Sequence, residues 1–161
     1  MIFEEKNALT GEVEAIIDYL DGSRRIIGYD KIPNTVLKGG RQALAKSLAN
    51  QIGNSFNFYV TRMLFGDGGT YNGVKKYVNY DRNGLFGTTR LSKPVLANID
   101  PSISTQVIFT SVIGFDDIVG VVLNEMALQM STGDLYSMTT FPDLTKTAEM
   151  QITWNWRLSF V

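Results

Sequence analysis

MQITWNWRLSFV, residues 150–161, is the stretch whose reading decides the fold. In an extended chain Ile152, Trp154, Trp156, Leu158 and Phe160 fall on one side, and Gln151, Thr153, Asn155, Arg157 and Ser159 on the other. Strand side chains alternate faces with period two, so a slip of one residue would turn both tryptophans away from the apolar side. At about 3.3 Å per residue such a strand is roughly 35–40 Å long and can cross a whole sheet. The expectation is an all-β scaffold with this strand at its centre, incomplete until the last residues are made.

The pattern continues upstream. Gly11 to Leu20 alternates Val13, Ala15, Ile17 and Tyr19 with Glu12, Glu14 and Asp18. Asp21-Gly22 then signals a type I′ hairpin, the return strand runs from Arg24 to Lys31, and Pro33 ends it. One helix is expected near residues 36–52, capped by Asn34 or Thr35 and stopped by Gly53. Its stripe of Leu37, Leu44, Leu48 and Ile52 should pack on a sheet. Gly39-Gly40 weakens the first turn, which moves the expected start towards Arg41.

Strand-like runs follow at 56–65, 88–99, 106–115, 121–130 and 135–141, with 71–80 only weakly patterned. They are divided by glycine-rich turns at 66–70 and 83–87, by Asp100-Pro101, Asp116-Asp117 and the hairpin signal Ser131-Thr-Gly-Asp134; a polar connection, 142–148, leads into the last strand. Seven to nine strands and one helix in a single domain, 1–161, predict a mainly β fold: an antiparallel β-sandwich or flattened barrel.

Composition narrows the function. The chain of 161 residues has no histidine and no cysteine. Disulfides, thiolate metal sites, Ser-His-Asp or Cys-His catalysis and the usual zinc ligand sets are therefore unavailable. Fifteen basic and 16 acidic residues are spread along the chain, so no basic patch forms a nucleic-acid footprint. No apolar run approaches a membrane helix, and Met-Ile-Phe-Glu-Glu-Lys does not read as a secretory signal.

Four features could carry chemistry, and each has a structural reading that weighs more. The loop Gly66-Asp-Gly-Gly-Thr70 resembles a phosphate cradle only superficially, because strands flank it and Lys75 and Lys76 come too late. Asp67, Asp81, Asp116, Asp117 and Asp134 lack the alternating spacing of a calcium loop. Glu125, inside the apolar run 121–130, has no second acid or base placed with it and reads as a hydrogen-bonded structural or interface acid. Trp154, Trp156, Tyr136, Phe141 and Phe109 could form a sugar platform but read as core. The expectation is no catalytic residue, no cofactor and no metal.

A resemblance enters on residues 123–160. Asn124-Glu-x-x-Leu128, the Gly133-Asp-Leu hairpin, Phe141-Pro-x-x-x-Lys-Thr147 and the Trp-rich terminal strand resemble the amino-terminal domain of some phage tail-collar fibre proteins. Asn34-Thr-Val-Leu, Arg41-Gln-Ala-Leu-Ala, Arg62-Met-Leu-Phe-Gly-Asp-Gly-Gly-Thr70 and Asn83-Gly-Leu-Phe-Gly87 are similar to small virion structural proteins of marine and cyanobacterial phages. Ala127 stands where the fibre pattern has glycine, and no shaft sequence follows Val161, which argues against a tail fibre proper. The resemblance implies a capsid decoration (cement) protein, made in the host cytoplasm, on the outer capsid surface of the virion. Its partner would be the major capsid protein and its assembly a homo-oligomer, a trimer first, with no direct nucleic-acid or membrane contact. Ile2, Phe3, Leu85 and Phe86 are the candidate partner contacts. The competing stations are a tail, neck or collar component and a carbohydrate-binding module.

Overall fold

The terminal strand lies at the centre of a sheet. In the computed structural model, which describes residues 9–49 and 58–160, β12 (Met150–Phe160) runs between β1 (Leu9–Tyr19) and β9 (Gln106–Ile113). It is antiparallel to both, with Val13 opposite Trp156, Ala15 opposite Trp154 and Ile17 opposite Ile152. Burial alternates along β12 from Met150 to Ser159, with Phe160 at its end exposed, and both tryptophans are fully enclosed. Beyond β1 comes β2 (Arg24–Ile27) and beyond β9 comes β8 (Leu96–Asn98), giving the order β2-β1-β12-β9-β8.

The facing sheet has the order β3-β11-β10-β4-β7, from β3 (Thr35–Val36), β11 (Leu135–Thr145), β10 (Val122–Met130), β4 (Val60–Gly66) and β7 (Thr89–Pro94). Trp154 of the first sheet packs on Phe65 and Phe141 of the second, with ring centroids 5.6 and 5.1 Å apart. Val13, Ile17, Met63, Met126, Leu128 and Ile152 fill the same interlayer. The fold is mainly β, 54% strand against 11% helix, and is a sandwich rather than a closed barrel. A two-stranded ribbon, β5 (Thr70–Tyr71) and β6 (Val74–Lys75), stands outside it. Among the described residues eight strands are four residues or longer, and the rest are the short β3, β5, β6 and β8.

Turn chemistry departs from expectation in an instructive way. At Asp21-Gly22 only Gly22 has positive φ, and Tyr19 N–H pairs with Ser23 carbonyl at 2.9 Å. This is a three-residue loop ending in a left-handed glycine, not a type I′ turn. The β10–β11 hairpin repeats it, with Met130 N–H on Asp134 carbonyl and Gly133 left-handed. The turn with two positive φ values is Asn72-Gly73, between β5 and β6, in the stretch that reads as weakly patterned.

The helix α1 (Lys38–Leu48) begins before the glycines rather than at Arg41. Leu37, not Asn34 or Thr35, precedes its first turn, and Thr35 belongs to β3. The reason is close packing: a Cβ at Gly40 would collide with the carbonyl oxygen of Tyr136 in β11, so glycine lets the helix rest on strand backbone. Gly40 and Ala43 are its buried residues, whereas Leu48 is exposed; Ile52 and Gly53 lie outside the described residues. Gly40 and Ala43 seat this helix closely, and of the expected stripe Leu37 is buried and Leu44 packs on the core.

Candidate functional site

The second sheet is buried on both faces. Its inner face meets the tryptophans; its outer face carries Leu64, Ala127 and Met138, which join Leu37, Val78 and Leu135 in a separate apolar cluster. The chain from 70 to 88 folds across this cluster. Leu85 and Phe86, expected as an exposed apolar tip, are half-buried against it. That corrects the expectation: an outward sheet face with apolar side chains must be covered, and these two residues cover it. The Phe86 ring is further held under the Arg82 guanidinium, 3.7 Å from its centroid, with the Lys76 ammonium at 5.1 Å. Ile2 and Phe3 lie outside the described residues.

Two consecutive polar side chains of β10 hold this cover in place. The pairing of β10 with β11 shifts register between Leu123 and Glu125, an irregularity of the kind that re-aims side chains. Glu125 is fully buried. Its Oε1 accepts N–H groups from Gly68 at 3.0 Å and Gly87 at 2.8 Å, and its Oε2 accepts that of Phe86 at 2.7 Å. Asn124 Oδ1 accepts the Gly69 N–H at 2.6 Å, while its Nδ2 donates to Thr70 Oγ1 and Asp143 Oδ1, both at 3.1 Å. One strand thereby fastens the loops 66–70 and 83–88 together. A Cβ at Gly68 would collide with the Gly87 backbone, and one at Gly69 with the Asn124 carbonyl.

This arrangement settles what the glycine loop does. A phosphate cradle needs free amide donors, and here the Gly68 and Gly69 amides already point at protein carbonyl and carboxylate oxygens. Asp67 completes the clip by accepting the Thr88 N–H at 3.0 Å and pairing with Arg90 at 3.2 Å. Glu125 is thus the structural acid that its place in an apolar strand suggests. Its partners, 38 to 57 residues away in sequence, were not readable.

The other acids disperse. Asp81 and Asp134 line one polar cleft of about 270 Å³, but Lys38 and Arg82 line it too. Asp117 pairs with Lys93 at 2.7 Å and accepts the Gly114 N–H at 2.8 Å; these contacts hold its carboxyl below the usual carboxylate range. No cluster of three metal-ligating side chains occurs among the described residues. Trp154, Trp156, Tyr136, Phe141 and Phe109 are all buried, so they form core rather than a sugar platform.

Lys146 is a functional-looking group that sequence reasoning passed over. It is fully buried, and its ammonium donates to the carbonyls of Phe115 at 2.9 Å and Thr147 at 2.8 Å. Desolvation lowers its pKa, and the nearby Asp117 and Asp116 partly offset that. Its backbone pairs with Gly120 and Val121, so this residue pins the 114–121 loop to the end of β11. No helix among the described residues is long and apolar enough to cross a membrane. No protein-family profile, curated protein or solved structure matches the chain.

Proposed function

We propose that this is a non-enzymatic virion structural protein, a decoration protein that binds the major capsid protein on the outer surface of a phage head. The sequence resemblance over residues 34–45, 62–70, 83–87 and 123–160 suggests the class. The observation that carries the reading is the way Glu125, Asn124, Asp67 and Lys146 are spent. Each of these four buried or half-buried polar groups fastens a loop to the sandwich. Such fastening suits a part that must present fixed loops to its neighbours under load.

The half-burial of Leu85 and Phe86 shifts the proposed contact surface. Within the same 70–88 stretch, Tyr71, Val74 and Tyr77, on and after the β5–β6 ribbon, are exposed. Exposed tyrosines supply large contact area at low entropic cost, so the ribbon tip is the better contact candidate. The competing station, a tail, neck or collar adaptor, draws on the likeness of 123–160 to collar-fibre domains. Copy number separates the two. Quantitative mass spectrometry of purified virions, with labelled protein located by microscopy, should give a fixed stoichiometry with the major capsid protein over the whole head. A few copies confined to the tail or neck would overturn the decoration reading.

A further inference from the structure

The edge of the first sheet carries an unexpected side-chain pattern. β2 is the terminal strand of its sheet, with no strand beyond it among the described residues. Arg25 lies opposite Ile17, and Ile27 opposite Ala15; both partners are fully buried, so Arg25 and Ile27 face the interlayer side. There, at the open flank of the sandwich, lies a cleft of about 300 Å³. Ile27, Ile32, Phe141 and Leu144 give it an apolar lining, and three cations from different elements, Arg25, Lys31 and Lys75, stand on it.

The cations Arg25, Lys31 and Lys75 face a single carboxylate, Asp143, among the described residues that line the cleft. Among the described residues neither Arg25 nor Lys75 forms an ion pair, whereas neighbouring Arg24 is taken by Asp18 at 2.7 Å. Asp143 is engaged by Thr70 Oγ1 at 2.7 Å and Asn124 Nδ2 at 3.1 Å, and those contacts lower its pKa. An inward-pointing charge on an edge strand ordinarily guards against unwanted strand pairing. A guard of fixed sign is also selective: it rejects apolar or basic strands and admits one that brings a carboxylate.

We propose that β2 is a docking edge for an extended segment of a partner protein, which adds a strand and places an apolar and an acidic side chain in this cleft. Residues directly opposite each other in paired strands share a face. An antiparallel segment must then read apolar–x–acidic, with the apolar residue opposite Ile27 and the acid opposite Arg25. Main-chain pairing supplies adhesion and the alternate side chains supply specificity. The inference does not depend on the particle to which the protein belongs, so it can fail while the virion reading stands.

The test uses the full chain and two synthetic peptides, acetyl-Thr-Thr-Phe-Thr-Glu-Thr-Thr-amide and the same peptide with Lys for Glu. Binding is followed by backbone amide NMR shifts and titrated to a dissociation constant. The Glu peptide should bind about tenfold tighter than the Lys peptide, with shifts centred on residues 24–27. Arg25→Glu should invert that preference, while Arg24→Glu, on the opposite face, should leave it. Binding by neither peptide, equal binding of both, or shifts centred elsewhere would overturn the proposal. Wild-type protein that sediments alone as an oligomer which Arg25→Glu dissolves would also overturn it, because the occupant would then be a second copy.

Discussion

Replacing Glu125 with alanine removes the acceptor for three backbone N–H groups, those of Gly68, Phe86 and Gly87, without touching the sandwich interlayer. A hydrogen bond to a charged acceptor is worth about 1.5–3 kcal/mol net, which would sum to roughly 4–9 kcal/mol if the three were independent. They are not, because one side chain makes them all and the loops lie partly at the surface, where water can replace it. A loss of about 3 kcal/mol is the working value. For a domain of this size each kcal/mol lowers the melting temperature by about 2–4 °C, so the variant should melt about 6–12 °C lower. Glu125→Gln keeps one carbonyl oxygen but turns an amide NH2 towards a backbone donor, and should lose about half as much. Hydrogen exchange read by NMR gives the specific signature: the Gly68, Phe86 and Gly87 amides should lose protection while Trp154 and Ile152 amides keep theirs. A variant that melts within about 2 °C of wild type, with protection at those three amides unchanged, would refute the clamp.

Three further outcomes are expected. Trp154→Ala should cost about 3–5 kcal/mol, because the ring contacts Phe65 and Phe141 across the interlayer, and deleting residues 150–161 should leave no soluble folded protein; soluble truncated protein with the wild-type melting temperature would remove β12 from the centre of the fold. Asp117 and Asp143 both have carboxyl pKa values lowered below 3.8 in the folded state, so the stability they contribute is complete above the unfolded value and is lost as pH falls through the lowered ones. Asp117→Asn should therefore flatten the acid limb of a melting-temperature profile and leave the neutral plateau lower; an unaltered acid limb would contradict the Lys93 pairing. A Leu85→Ala/Phe86→Ala double variant should lose stability, since both side chains cover the outer apolar cluster, whereas Tyr71→Ala should leave stability unchanged and weaken re-binding to stripped capsids, measured by co-sedimentation.

Some of this molecule was written in local sequence. The alternation of 150–160 and of 11–19 made both strands legible, because period two is a property of the extended backbone alone and needs no partner to be read. The 131–134 hairpin was readable for the same local reason, from its turn residues. The exact loop at Asp21-Gly22 was not, since the same dipeptide serves two turn geometries and strand twist chooses between them. Nor was the start of α1: Gly39 and Gly40 weaken an isolated helix, but against the backbone of β11 they are what allows it to sit there. Only the tertiary structure decided that Leu85 and Phe86 are cover rather than tip, that Glu125 fastens two distant loops, and that Arg25 flanks a cleft where, among the described residues, it forms no ion pair. Those are relations between residues far apart in sequence, fixed by which sheet face each element lands on, and no local pattern encodes them.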